Sequence, residues 1–330
     1  MLIVGDIGGT KTDLAVYSAE AGPHAPLAQA QFHSADYSSL QELVKEFLGR
    51  VTVPIRAGAF AVAGPVLEGR VKTTNLPWLI EEASLARDLG LDAVRLLNDL
   101  EAVARSVPNL QSQDLVTLNQ GQAVAHGPIA VIAPGTGLGE SFLTWDGARY
   151  VAHGSEGGHS DFAPTGERQI RLLQYLLKRH EHVGVERVCS GIGVPDIYEF
   201  LRDEERIAEP RDVSRQIAAA SDRTKAIIDV GTDPHGASLL CRATVETLAE
   251  ILASEAGNLA LKVLATGGVY VAGGIALHIL NELKSPQFKR AFHNKGRFEE
   301  LMGRLPMHVI TARAALLGAA SFGLEQPWKS

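Results

Sequence analysis

The sequence predicts an α/β protein of two related lobes with a central cleft, each lobe carrying a β-hairpin followed by a βαβα core. One observation is a glycine-rich turn between two apolar strands near the start of the chain, and another is a second strand–glycine turn–strand pattern over residues 129–145. Gly137 of the second turn lies 128 positions after Gly9 of the first. A chain of 330 residues also exceeds the size at which one hydrophobic core usually stops growing, which favours two lobes.

The first lobe is predicted to follow the order βββαβαβα. Short apolar runs bounded by glycine or polar residues predict strands, and apolar residues at helical spacing predict helices. We expect strands at residues 2–4, 13–17, 27–32, 55–64 and 94–99. We expect helices at 40–48, at 84–91 with Ser84 as the N-cap, and at 100–104.

The second lobe repeats the hairpin and then becomes mostly helical. Helices are expected at residues 168–179, 196–203, 213–220, 238–264 and 313–326, and further strands at 267–275 and 307–311. No Ser/Gly-rich linker separates the lobes, so the chain crosses between them near residue 110. The expected small domain is 1–109 plus about 310–330, and the large domain is 110–309.

Composition excludes several classes of protein. The chain is 45% hydrophobic and 21% charged, which is typical of a globular protein, and its net charge of −7 argues against nucleic acid as a partner. Cys189 and Cys241 form no CxxC pair, so neither a disulfide framework nor a structural zinc site is expected, and a reducing cytoplasm fits best. Apolar runs fall short of the roughly 20 residues that span a bilayer, and residues 2–6 do not resemble a signal peptide.

Neither glycine turn matches a familiar phosphate loop that opens a helix. A Walker A loop counted from Gly5 would need glycine where Thr10 stands, and a dinucleotide fingerprint counted from Gly135 would need glycine where Glu140 stands. Both turns therefore belong to hairpins. A tight glycine turn can still bind phosphate, because its successive backbone N–H groups form an anion-binding concavity, to which Thr10 and Thr136 add hydroxyl donors.

Asp6 precedes the first turn, where a bare carboxylate would repel phosphate. We therefore interpret Asp6 as an indirect Mg²⁺ anchor. The two hairpins, together with the glycines that end the strand "VYVAGGI", predict a nucleotide-binding protein.

The motifs "GDIGGT", "APGTGLGE" and "VYVAGGIA" resemble the two phosphate elements and the adenosine element of the actin/hexokinase/heat-shock-protein-like ATPase superfamily. "LLNDLEAVA", "GSEGGHSDFAP" and "VERVCSG", in that order, resemble the bacterial glucokinase family, and the similarity runs nearly end to end. The resemblance implies a two-lobed actin-like ATPase (ribonuclease H-like) fold, ATP and Mg²⁺ as cofactors, glucose as acceptor, and a homodimer without nucleic-acid or membrane partners.

The resemblance also implies the residues of the site. Asp99 is the expected general base, and the expected sugar contacts are Asn98, Asp99, Glu156, His159 and Glu186. The expected nucleotide contacts are Gly5, Asp6, Ile7, Gly8, Gly9, Thr10, Gly135, Thr136, Gly137, Gly273 and Gly274.

From the residues alone, several of these positions have a second interpretation. Asp99 follows an apolar strand and precedes "LEAVA", so it is either a base at a strand end or a helix N-cap. His153, Glu156 and His159 could form a solvated loop or, with less support from spacing, a metal site. Glu186 alone would read as a surface charge, and Cys189 as a small buried hydrophobe rather than a nucleophile.

The sequence does not assign a role to residues 73–78 or to Lys11. "TTNLPW" (residues 73–78) is either part of the sugar-side lip or a structural turn that ends in a core tryptophan. Lys11 differs from some relatives, and we assign it no phosphate contact. The cysteine-rich zinc motif of the related repressor and kinase group is absent, which favours the zinc-free glucokinase branch.

Other functions on the same fold are a sugar-sensing regulator without catalysis, an ATPase with a protein client, and a kinase for another hexose. The first glycine loop starts at residue 5, which is expected to leave no room for an N-terminal DNA-binding module, and the chain is acidic. An ATPase with a protein client would not need the sugar-contacting set. Glucose kinase activity is therefore the expected function, with preference for glucose over epimers such as galactose.

Overall fold

A computed structural model describes residues 1–73, 76–236 and 238–328 of the chain. The chain divides into two compact units. Unit 1 comprises Met1–Asp114, Arg149–His153 and Ala312–Ser330, and unit 2 comprises Leu115–Ala148 and Gly154–Thr311.

Unit 1 carries a five-stranded sheet in the order β3-β2-β1-β4-β7. β1 and β2 form an antiparallel hairpin, whereas β1, β4 and β7 run parallel to each other. A separate antiparallel hairpin, β5–β6, was not expected from the sequence. The strands are β1 (Leu2–Ile7), β2 (Lys11–Tyr17), β3 (Ala28–His33), β4 (Ala57–Val62), β5 (Arg70–Lys72), β6 (Leu79–Glu81) and β7 (Ala93–Asn98).

Helices pack around the first sheet and bury its apolar side chains in two core clusters. The helices are α1 (Leu40–Leu48), α2 (Glu82–Leu89), α3 (Asp99–Ser106) and, near the end of the chain, α13 (Ala314–Glu325). One cluster lies under α1 and α2, and the other joins α13 and α3 to β1 and β4 through small residues. Alanines and glycines let α13 approach closely: a Cβ on Gly318 would lie 1.7 Å from the carbonyl oxygen of Ala102.

The sheet of unit 2 repeats the central strand order of the first. Its strands include, in order, β10-β9-β12-β13-β8, with β9–β10 an antiparallel hairpin and β9, β12 and β13 parallel. The antiparallel edge strand β8 has no counterpart in the first sheet. The ranges are β8 (Leu115–Asn119), β9 (Ile129–Pro134), β10 (Leu138–Trp145), β12 (Gly268–Val271) and β13 (Met307–Ile310). Strand β11 (Tyr150–Ser155) is divided between the two units. The duplicated hairpin-plus-βαβα core is thus confirmed.

Unit 2 is built around one long buried helix, which begins after the N-cap Ser238 and ends at Val263. Sixteen of its residues are buried, because neighbouring helices cover most of its circumference. The helices are α4 (Gly166–Leu177), α5 (Val194–Asp203), α6 (Arg211–Ala219), α7 (Arg223–Thr232), α8 (Leu239–Val263), α9 (Gly274–His278), α10 (Leu280–Leu283), α11 (Pro286–His293) and α12 (Glu299–Arg304).

One capping prediction is wrong. α2 begins at Glu82, with Glu81 at the N-cap, and Ser84 lies inside the helix. The helix starts early because Leu79–Glu81 pairs as β6 and the chain turns directly from that strand into the helix. The Ser84 hydroxyl donates a hydrogen bond to Glu81 Oε2 rather than accepting one from a backbone N–H.

The segment at residues 73–78 falls partly outside the described residues, because 74 and 75 are not described. Within it, Trp78 is buried and the Thr73 hydroxyl donates to the carbonyl oxygen of Leu76. In the part of the chain that is described, no helix combines the length and apolar character needed to cross a membrane.

Candidate active site

Asn98 and Asp99 lie where β7 ends and α3 begins. The helix cap is Asn98, whose Oδ1 accepts the backbone N–H groups of Leu100 and Glu101 at 2.9 and 3.3 Å. Its Nδ2 donates to the carbonyl oxygen of Gly64 at 3.0 Å. The N-cap role therefore falls one residue before Asp99, although Asp99 Oδ1 also accepts the N–H of Leu100. Burial raises the pKa of Asp99, and its hydrogen bonds only partly offset that shift.

A cluster of carboxylates surrounds the end of β1 in unit 1. Asp6 and Asp13 are directly opposed across the hairpin, and the Asp13 carboxylate is paired with Arg313 at 2.7 Å. The pKa of Asp6 is raised to about 7, first by burial and then by the negative charges of Asp99 and Asp13, against a smaller opposing effect of Arg313. Like charges at this spacing destabilise a fold. Such clusters are typical of functional sites, where a carboxylate accepts a proton or binds a cation.

The first glycine turn joins β1 to β2 and is held by Ser34. The Gly8 N–H closes the turn on the carbonyl oxygen of Lys11 at 3.0 Å. Ser34 donates its hydroxyl to the carbonyl oxygen of Gly8 at 2.7 Å and its N–H to that of Thr10 at 2.9 Å. Within the described residues, the N–H groups of Gly9 and Thr10 have no protein acceptor, so they are free to bind an anion.

The second glycine turn joins β9 to β10, and a segment of residues 186–192, which we call the clasp, holds it. The clasp donates two backbone hydrogen bonds, from Gly191 N to Gly135 O at 2.8 Å and from Ile192 N to Thr136 O at 3.2 Å. The Glu186 carboxylate accepts the N–H of Leu138 at 2.8 Å. For the N–H groups of Thr136 and Gly137, the described part of the chain offers no acceptor.

Glu156 and His159 lie on a single 3-10 turn of unit 2, with His159 Nε2 and Glu156 Oε2 3.9 Å apart. Both side chains are exposed, at 68% for His159 and 85% for Glu156, so they are available to a ligand. The turn is attached to the chain that leads into the clasp, because Val185 N donates to the carbonyl oxygen of Ser160 at 2.9 Å.

Glu140 is buried beneath that turn. It is about 1% exposed, and among the described residues its Oε1 has no hydrogen-bond partner. Its Oε2 lies so close to Gly157 that a Cβ there would be 1.9 Å away. Burial and then the charge of Glu255 raise the pKa of Glu140 to about 7, with Lys262 opposing.

A cavity of about 420 Å³ opens beside the second glycine turn. Gly135, Thr136 and Gly274 line it together with residues of the clasp and α7. Gly273 has φ +88° and ψ 154°, a backbone region that glycine alone adopts readily, and a Cβ on it would lie 2.5 Å from the carbonyl oxygen of Pro134. Gly273 and Gly274 therefore have different roles. The backbone conformation requires a glycine at 273, whereas Gly274 lines the cavity.

The predicted residues fall into two sets according to unit. Unit 1 holds the predicted contacts Gly5, Asp6, Ile7, Gly8, Gly9, Thr10, Asn98 and Asp99. Unit 2 brings Gly135, Thr136 and Gly137 together with Glu186, and links the turn of Glu156 and His159 to the same assembly. No group of three metal-ligating side chains is found among the described residues, so the His153–Glu156–His159 metal hypothesis has no support.

Cys189 is fully buried, and burial raises its pKa well above the usual range, which confirms the buried hydrophobe. Sequence reasoning missed Ser34, Glu140 and the polar floor of the cavity, formed on α7 by Thr224, Lys225 and Asp229. The available signal for α7 was Asp222, which caps it by accepting the N–H of Lys225.

The two sheets, each a hairpin extended by parallel strands, have the actin-like ATPase fold of sugar kinases. The structure is similar to that of a glucokinase from an Antarctic psychrotroph, with a TM-score of 0.83 and 30% identity over 98% of this chain and 99% of that one. It also has the fold of a glucokinase from Balamuthia mandrillaris in complex with glucose, with a TM-score of 0.76 and 21% identity over 98% and 93% of the two chains.

Sequence comparison places the chain within that class. The family model described as Glucokinase matches residues 3–326. A glucokinase of Nostoc punctiforme is 40% identical over 97% of this chain and 98% of its own length. The chain belongs to the glucokinase family.

Proposed function

We propose that this chain transfers the γ-phosphoryl group of ATP to the 6-hydroxyl of glucose, giving glucose 6-phosphate and ADP, with Asp99 as general base. The observation that carries the assignment is Asp99 itself, a carboxylate with a raised pKa at the junction of β7 and α3. A carboxylate whose pKa is moved toward neutrality is a better proton acceptor than an exposed one.

In the proposed reaction the 6-hydroxyl oxygen forms a bond to the γ-phosphorus while the bond from that phosphorus to the bridging oxygen of ADP breaks. The hydroxyl proton passes to an oxygen of Asp99. Asn98 fixes the position of that carboxylate, because its Oδ1 caps α3 from the preceding residue. Its Nδ2 donates to the carbonyl oxygen of Gly64, and a hydrogen bond from the same side chain to Asp99 favours the charged form of that carboxylate. We propose that Asn98 contacts the sugar from this position.

Glu156, His159 and Glu186 are the proposed sugar contacts in unit 2. Carboxylate and imidazole groups pair with hydroxyls, and a site built to pair with one hydroxyl arrangement rejects another by factors that reach about 10⁴. The exposed side chains of Glu156 and His159 on one short turn suit this role. We therefore propose preference for glucose over its epimers.

The phosphates are proposed to bind the free N–H groups of both glycine turns, and the adenosine to occupy the cavity beside Gly274. Mg²⁺ would be held near Asp6 through water. The carboxylates fit a cation, since burial and neighbouring negative charge raise the pKa of Asp6 to about 7. Bound Mg²⁺ neutralises phosphate charge, and without a three-ligand protein cage in the described residues it would depend on the nucleotide for further ligands.

A cytoplasmic location and a homodimer complete the proposal. The location is supported by the low cysteine content and the acidic composition, and the dimer by the family resemblance. Sedimentation equilibrium of the purified chain tests the dimer, for which a mass near twice 35.2 kDa is expected.

A coupled assay of ADP release across several hexoses and phosphoryl donors tests the function. We expect ADP release that depends on glucose, a kcat/KM for galactose lower by about 10² to 10⁴, and ATP as the preferred donor. ATP hydrolysis at a rate that does not depend on glucose would indicate an ATPase with a protein client. Glucose binding without turnover would point to a sugar sensor.

A further inference from the structure

The Glu186 carboxylate touches the second glycine turn directly. Its Oε2 accepts the N–H of Leu138 at 2.8 Å and lies where a Cβ on Gly137 would be 2.3 Å away. The absence of a side chain at Gly137 is thus what lets the carboxylate reach this turn. The same side chain is a proposed sugar contact, so one carboxylate belongs both to the proposed sugar site and to the glycine turn proposed to bind phosphate.

The rest of the clasp fixes the carboxylate in place. Ser190 is fully buried and donates its hydroxyl to the carbonyl oxygen of Glu186 at 2.7 Å. Gly191 and Ile192 are bonded to the turn itself, so both ends of the clasp are tied to it. Because these hydrogen bonds fix the backbone of the clasp, a change in the bonding of the Glu186 side chain is expected to affect the glycine turn directly.

Charge gives this contact an energetic consequence. A carboxylate beside N–H groups that bind phosphate repels the phosphates of a nucleotide. Within the described residues, Oε1 of Glu186 accepts no hydrogen bond, so it can accept one from a sugar hydroxyl. Such a bond would draw negative charge away from the turn and lower the repulsion, while Oε2 keeps the Leu138 N–H.

We propose that Glu186 is a positioning residue that couples sugar binding to nucleotide binding, because its carboxylate joins the sugar site to the second glycine turn. This inference rests on the proposed function for the identity of the sugar. It predicts that glucose and a nucleotide each tighten the binding of the other by the same factor.

Glu156 provides the matched control. It is also a carboxylate proposed to contact the sugar, but its side chain is 85% exposed and lies 3.9 Å from His159 on its own turn. Glu156→Gln and Glu186→Gln make the same chemical change, and only the second alters a group bonded to the glycine turn. A neutral amide is also a weaker acceptor than a carboxylate, by about a factor of two in strength.

The experiment measures the dissociation constant of ADP by calorimetry, without glucose and at saturating glucose, for the full chain and both variants. For the unmodified chain we expect glucose to tighten ADP binding about tenfold, within the usual range of coupling between sites. For Glu156→Gln we expect the same ratio between the ADP dissociation constants without and with glucose, although a higher glucose concentration is needed to reach saturation. Glu186→Gln is expected to reduce it below about threefold.

A ratio near one in the unmodified chain, or equal ratios in the two variants, would overturn the coupling role of Glu186. Glucose titrations without nucleotide are run alongside and separate this result from failure of the proposed function. An unmodified chain that does not bind glucose contradicts the proposed function, whereas one that binds glucose without coupling contradicts this inference alone.

Discussion

In the first glycine hairpin a serine side chain holds the turn, whereas in the second hairpin a carboxylate and two backbone amides of one segment do so. Both arrangements occupy carbonyl oxygens of the turn and leave backbone N–H groups without a protein acceptor among the described residues. Each turn therefore keeps backbone N–H groups of the kind that can bind an anion. The difference is that the second support carries charge and belongs to a proposed sugar-binding segment, while Ser34 is neutral and buried.

Carboxylates also stand in different places in the two hairpins. Asp6 lies in the strand before the first turn, close enough to Asp99 and Asp13 for their charges to raise its pKa. In the second hairpin Glu140 follows the turn and is buried under the loop of Glu156 and His159. Similar backbones are thus proposed to serve different tasks: the first hairpin shares unit 1 with the proposed base Asp99, and the second shares unit 2 with Glu156, His159 and Glu186.

The largest loss of stability is expected at Gly273, whose backbone packs against Pro134 at the end of β9 in the second hairpin. Gly273→Ala should lower the free energy of unfolding by about 3 kcal/mol, because it combines a strained backbone region with a contact to the carbonyl oxygen of Pro134. Urea denaturation measures the loss. Gly274→Ala is the control, since a Cβ there meets no atom of the described residues within 4 Å, and it should change stability by less than about 0.5 kcal/mol. Equal losses in both variants would remove the distinction between the two glycines.

A smaller effect, dependent on pH, is expected from the buried carboxyl of Glu140 in the second hairpin. The pKa of Glu140 is about 7 in the fold and near 4.5 in an unfolded chain, so the folded state binds the proton more tightly. Its contribution to stability is therefore present below pH 4.5 and is lost as pH rises toward and through 7. Glu140→Gln should be more stable than the unmodified chain at pH 8, by on the order of 2 kcal/mol.

The advantage of Glu140→Gln should shrink as pH falls to 5. Thermal and urea unfolding across pH 5 to 8 test the trend, with Glu181→Gln as the control because Glu181 is exposed. An advantage that does not change with pH would contradict the assignment of a buried, titrating carboxyl.

The smallest effect is expected at the first hairpin, where one neutral hydroxyl is involved. Ser34→Ala removes the hydrogen bonds of the hydroxyl to the carbonyl oxygen of Gly8 and to the Thr12 hydroxyl, but leaves the backbone bond to Thr10. We expect a loss of about 1 kcal/mol in stability and a rise of about threefold in KM for ATP. Ser38→Ala, which removes an exposed hydroxyl bonded to Glu42 at 2.7 Å, should leave KM unchanged. A KM that does not respond to Ser34→Ala would indicate that the first turn needs no such support.

Much of the fold could be predicted from the sequence because its strongest elements are strongly patterned. The two hairpins, the parallel strands and the long helix α8 have apolar runs with clear glycine or serine boundaries. The strands β5, β6, β8 and β11 were missed, since each is short or only partly buried and shows little alternation. The cap of α2 was misplaced because strand pairing of the preceding residues, a tertiary interaction, set where the helix begins.

The glycines of the candidate site and Asp99 could be proposed from the sequence, whereas the residues that support them could not. Ser34 and Glu140 carry no local signal, because their importance comes from what they touch after folding. Glu186 could be named from the family resemblance, but its bond to Leu138 joins positions 48 residues apart. Such contacts depend on topology that no local pattern encodes.

The measurement that tests the central claim most directly is the turnover of Asp99→Asn at saturating glucose and ATP. Removing a positioned base lowers kcat by about 10² to 10⁴ while calorimetric glucose affinity stays within about threefold, since Asn preserves the shape and much of the hydrogen bonding. Asp92→Asn, an exposed aspartate of the same unit, should retain full turnover. A kcat for Asp99→Asn close to that of the unmodified chain would contradict the account.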